Sequence, residues 1–211
     1  MSMYPKENRM KNTDFASANL TVSELNAIVK KLGGEEDALR FLRDELVVGP
    51  PNFPVWKRIW LGTGLHTADN FHRALEHNGK LINDWGSDLL REKAFTALAE
   101  MTEVDLVVVS LVELGLMDGV SRGELYEKAL RLGLQPCPAE VGPQLRLQYQ
   151  GQPNGEELII GMEPIVDSDG YPRVFSVACN SSDQWLNGDY DDGCSTLWGD
   201  DNRIVFVKPR K

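Results

Sequence analysis

"LQPCPAEVGPQLRLQYQ", Leu134 to Gln150, is where this chain changes its pattern. Helical spacing runs up to Gly133. From Pro143 onward that spacing is gone, and Leu145, Leu147 and Tyr149 alternate with polar residues as on one face of a strand. Between the two patterns sit Pro136, Cys137, Pro138 and Glu140. The prolines on either side of Cys137 set the direction in which the chain leaves, and Gly142-Pro143 turns it into the strand. The segment reads as a rigid joint between a helical part and a sheet.

Upstream, residues 1–19 are polar and patternless, which predicts a mobile arm. Thr21 and Glu24 have the spacing of a capping box. Val22, Leu25, Ile28, Val29 and Leu32 then recur at helical spacing and stop at Gly33-Gly34. A second helix follows, with Glu35, Glu36 and Asp37 at its positive end and Ala38, Leu39, Leu42 and Leu46 on one side. Residues 20–48 therefore predict a helical hairpin, and "VVGPPNFP" breaks the chain at 49–54.

In "VWKRIWLG", Val55, Lys57, Ile59 and Leu61 share a strand face. Thr67 caps a helix with Ala68, Phe71 and Leu75 inward. Residues 88–101 fit a short helix followed by extended chain. "VDLVVVSLVEL", Val104 to Leu114, reads as a strand buried on both faces. Ser121 and Glu124 open one more capped helix, ending at Gly133.

Downstream, "EELIIGMEPIV", "RVFSVACN", "QWLNGDY" and "RIVFVKP" read as strands joined by turns such as "DSDG". Such short connections predict an antiparallel meander over 143–211. The expected fold class is α+β: an N-terminal helical hairpin and further helices, then a mostly antiparallel C-terminal β-sheet, with 55–211 as one domain.

Composition narrows the function. The net charge of −10 is uneven: residues 1–60 carry nine Lys/Arg against eight Asp/Glu, whereas residues 151–211 carry five against eleven. An acidic chain repels phosphate backbones, which speaks against nucleic-acid binding and leaves only the hairpin region as an alternative nucleic-acid surface. No apolar run approaches the roughly 20 residues of a bilayer span, so no membrane contact is expected. The polar start and three cysteines predict reduced thiols and a cytoplasmic location.

Three residues around the joint carry possible chemistry. Cys137 would need a cation or histidine to become a nucleophile, and its neighbours are prolines and Glu140. Arg146, on the strand face opposite Leu145, could pair with Glu140 or with Glu163 on the next strand. Trp185 and Trp198 lie among Asn, Asp and Gly, where exposed aromatics could grip sugars or peptides. His72 and His77, five apart on a helix, point about 140° apart and share no metal, although His72 and Glu76 could. "DSDG" and "DYDDG" lack the order of a calcium loop and fit hairpin turns. The absence of Walker A, GxGxxG and GxSxG motifs predicts neither a nucleotide cofactor nor serine-hydrolase chemistry. No cofactor and no metal are expected.

The strings "AEVGPQLRLQY" and "MEPIVDSDG" resemble those of an uncharacterised bacterial protein family with no assigned activity. That resemblance transfers no functional residue. The expectation is a binding module with a protein partner. The alternatives are an enzyme centred on Cys137, Glu140 and Arg146, or a regulator that uses the hairpin on nucleic acid.

Overall fold

In a computed structural model, residues 20–43, 45, 52–117, 119–191 and 202–210 are described. The predicted arm, residues 44 and 46–48 of the hairpin with its Leu46, residues 49–51 of the linker and Trp198 lie outside these residues. The chain divides into two compact units, Met1–Pro50 and Pro51–Lys211.

The first unit holds α1 (Val22–Lys31) and α2 (Glu35–Leu42). The capping box at Thr21 forms in both directions. Thr21 Oγ1 accepts from the Glu24 amide at 3.3 Å, and a Glu24 carboxylate oxygen accepts from the Thr21 amide at 2.7 Å. Neither helix buries a residue; Leu25, Ile28, Leu39 and Leu42 are all exposed.

The second unit is an α+β body. Its elements are β1 (Lys57–Leu61), α3 (Ala68–His77), β2 (Leu81–Ile82), α4 (Asp84–Arg91), β3 (Thr102–Val109) and α5 (Arg122–Arg131). They continue with α6 (Val141–Gln148), β4 (Glu157–Ile160), β5 (Ile165–Val166), β6 (Pro172–Asn180), β7 (Asp183–Tyr190) and β8 (Ile204–Lys208). The sheet order is β1-β3-β8-β4-β6-β7-β2, with β5 on β6.

Two expectations are corrected here. The sheet is mixed, not a mostly antiparallel meander: β8 runs antiparallel to β3 but parallel to β4, and β2 runs parallel to β7. The physical reason is burial. "IVFV" in β8 is apolar on both sides, as is β3, so the two sit together between helical layers. Leu106 and Val205 face one core, lined by α3, α4 and α6. Val107, Ile204 and Phe206 face the other, lined by α5.

The second correction is the opening stretch itself. Residues 141–148 are a helix, not a strand. Leu145 and Tyr149 fit an alternating pattern, but they also fall four and eight residues after Val141, and all three are buried. Pro143 lies in the first turn, where its missing N–H costs nothing. Residues 141–146 are buried all round, and α6 packs against β1, α3, β6 and β7. Gly142 permits this, because a Cβ there would come within 2.7 Å of the Phe175 side chain.

Candidate functional site

The helical form of 141–148 separates residues that a strand would have brought together. Glu140 is fully buried and holds two loops to α6. Its Oε1 accepts from the Gly62 amide at 2.8 Å and from Gln144 Nε2 at 3.0 Å, and its Oε2 accepts from the Leu98 amide at 2.8 Å. Arg146 is also fully buried, and among the described residues no carboxylate is hydrogen-bonded to it. It donates to Gln152 Oε1 at 2.5 Å, Tyr149 O at 2.8 Å, Gln184 Oε1 at 3.0 Å and Ala178 O at 3.4 Å. Burial lowers its pKa to about 10. The expected pairing of Arg146 with Glu140 or Glu163 is therefore replaced by neutral acceptors. Glu163 is exposed, between β4 and β5.

Cys137 is buried beside β4 and β8. Its amide donates to Gly161 O at 2.7 Å, and its Sγ donates to Val205 O at 3.3 Å. Burial pushes the thiol well above its ordinary pKa. Cys137, Glu140 and Arg146 are thus buried and hydrogen-bonded to the surrounding loops and strands, with only Arg146 Nε lacking a partner among their polar side-chain atoms in the described residues. Trp185 is half-buried in β7, paired with Ala178 and Leu81. His72 Nε2 lies 3.1 Å from Ser87 Oγ, and burial, then the nearby Arg91 charge, lowers its pKa. Among the described residues, no group of three His, Cys, Asp or Glu is arranged to hold a metal.

The exposed chemistry lies elsewhere, at the start of α4 and the far end of the β6–β7 hairpin. Asn83 caps α4: its Oδ1 accepts from the Gly86 amide at 2.7 Å and from the Gly188 amide at 3.1 Å. Helix and strand meet backbone to backbone, since a Cβ on Gly188 would come within 2.8 Å of the Trp85 carbonyl carbon. That contact fixes Trp85 at the surface, 50% exposed. The Arg173 guanidinium lies 4.5 Å from its ring centroid and is ion-paired with Asp167 in the "DSDG" turn. Tyr171 and Tyr190, 52% and 47% exposed, meet edge to face with centroids 6.0 Å apart. Beside Trp85, a hollow of about 290 Å³ is lined by Asp84, Ser87, Asp88, Arg91, Ser168 and Asp169.

None of these aromatics was singled out from the sequence. Trp85 stands four residues before the buried Leu89, so its spacing pointed inward and gave no signal of its exposure. Tyr171 and Tyr190 had none, because their meeting depends on the pairing of β6 with β7.

Among the described residues, no helix is long and apolar enough to cross a membrane. Comparison of the chain with family models, with curated proteins and with solved structures finds no match.

Proposed function

We propose that this chain works by binding another protein, through the face formed by Trp85, Tyr171, Arg173 and Tyr190. The observation that carries this reading is three half-exposed aromatic rings around a fixed Arg173–Asp167 pair. Trp, Tyr and Arg are the side chains that dominate protein–protein hot spots. Here they stand on a helix start and on paired strands, so little ordering is needed on binding. The burial of Cys137, Glu140 and Arg146 supports this reading over a catalytic one at that segment.

The test compares immobilised wild-type protein with a Trp85→Ala/Tyr171→Ala double variant and a Met101→Ala control, each exposed to extract of the source cells. Captured proteins are quantified by mass spectrometry. At least one protein is expected on wild type and control and lost from the double variant. Coincident capture on all three would remove this face as the docking surface.

A further inference from the structure

At the opposite end of the sheet, a second hollow of about 550 Å³ is lined by Asn52, Val55, Arg58, Asp105, Lys208 and Arg210, with Pro209 at its edge. Its charged residues follow from strand register. Arg58 on β1 pairs with Asp105 on β3, which pairs with Lys208 on β8, so the three stand in one row across neighbouring strands. Two residues along, Trp60 pairs with Glu103 on the same face. Arg210 closes the second row by donating to Glu103 at 2.6 Å and to Asp105 at 2.7 Å. Three cations thus line a hollow that contains one carboxylate, in a chain whose net charge is −10.

Asp105 organises these cations. It accepts from Arg58 Nε at 3.0 Å and from Arg210 Nη2, which holds both guanidinium groups at the hollow. Donors are left over. Among the described residues, Arg58 uses only Nε and Arg210 only Nη2, so the remaining nitrogens of both forks are free. Lys208 Nζ donates to Phe53 O at 2.6 Å and Asn52 Oδ1 at 3.2 Å, which leaves its third proton. Two guanidinium forks and an ammonium, from β1, from β8 and from the segment just after β8, line the same hollow and suit a tetrahedral anion that carries up to two charges and several acceptor oxygens. A carboxylate, with one charge and two oxygens, would use fewer of them. A long polyanion is disfavoured by the acidic remainder of the chain. Trp60, 44% exposed on the same face, offers a flat apolar flank to whatever the phosphate is attached to.

We propose that this hollow binds a small phosphate monoester, with Arg58, Lys208 and Arg210 holding the phosphate and Trp60 flanking the ester group. The site is independent of the protein-binding face, which lies on α4 and β6–β7.

The experiment is calorimetric titration of the full chain at constant ionic strength, with inorganic phosphate and phenyl phosphate as probes and chloride as the reference. Both probes bind, and phenyl phosphate binds more tightly. Arg58→Gln and Lys208→Met each weaken both probes about ten-fold, with the circular dichroism of the folded protein unchanged. Trp60→Ala brings phenyl phosphate down to the level of inorganic phosphate. The proposal is overturned if neither probe binds at up to roughly 10 mM. It is equally overturned if Arg58→Gln and Lys208→Met bind like wild type. Equal affinity of the two probes for wild type would remove Trp60 from the site.

Discussion

The side-chain amide of Gln148 pairs with the backbone of Trp60 in both directions. Gln148 Oε1 accepts the Trp60 N–H at 2.9 Å, and Gln148 Nε2 donates to the Trp60 carbonyl at 2.8 Å. An amide on α6 thereby takes the place of a strand neighbour at the open edge of β1, where unpaired backbone would invite another chain. Gln148 is the last of three residues spaced by four along α6. Gln148 Nε2 donates to Gln144 Oε1 at 3.0 Å, and Gln144 Nε2 donates to Glu140 Oε1 at 3.0 Å and to Thr63 Oγ1 at 2.6 Å.

Gln148→Ala is expected to cost about 1 kcal/mol in urea unfolding, the ordinary worth of such hydrogen bonds. Gln148→Glu is expected to cost more, because it sets a carboxylate against the Trp60 carbonyl. If the two variants unfold at the same midpoint, the amide is not acting as a strand neighbour.

Glu140→Gln tests the centre of the same row. The carboxylate serves two backbone amides on separate oxygens, from Gly62 and Leu98. A glutamine has one oxygen, so one amide would face an NH₂ group inside the core. The expected loss is about 2 kcal/mol, read from the unfolding midpoint at constant slope. Unchanged stability would contradict a structural role for Glu140.

Cys137 is expected to react with iodoacetamide at neutral pH far more slowly in the native protein than after unfolding. It is buried, and its thiol donates to Val205 O. Labelling is followed residue by residue by mass spectrometry. Equal rates in the two states would mean that the joint opens readily. Cys137→Ser is expected to lose about 1–3 kcal/mol if its hydroxyl finds no partner as good.

Asp167 links the turn to the aromatic face, and its effect depends on pH. Burial works to raise its pKa. The Arg173 pair and the amides of Tyr171 at 2.7 Å and Asp169 at 3.1 Å outweigh burial and hold it below the ordinary carboxylate value. The stability it contributes is therefore present above its unfolded pKa, near 4, and is lost as pH falls through the lower folded value. Asp167→Asn is expected to lower the melting temperature at pH 7, and its gap from wild type is expected to narrow below about pH 4. A gap that stays constant down to low pH would break this assignment.

Sequence alone determined what is local. The capping boxes at Thr21 and Ser121 and the cap at Thr67 involve residues three apart, so they form wherever a helix starts there. Alternation put Ile59 and Leu61 on one face with Arg58 and Trp60 on the other, and the continuous apolar run foretold burial of β3 on both faces, although the strand ends at Val109 and residues 111–115 form a turn where a strand to Leu114 was expected. Tertiary structure decided the rest. Over eight residues, a spacing of two in Leu145, Leu147 and Tyr149 overlaps a spacing of four in Val141, Leu145 and Tyr149. Only burial on every side of Val141–Arg146 selects the helix. That choice turns Glu140 towards Gly62 and Leu98, more than 40 residues away in the chain, and Arg146 towards Gln152 and Gln184. The same holds for both surfaces. Arg58, Asp105 and Lys208 form a row, and Trp85 meets Arg173, only because strands distant in sequence are neighbours in the sheet, and no local pattern encodes that pairing.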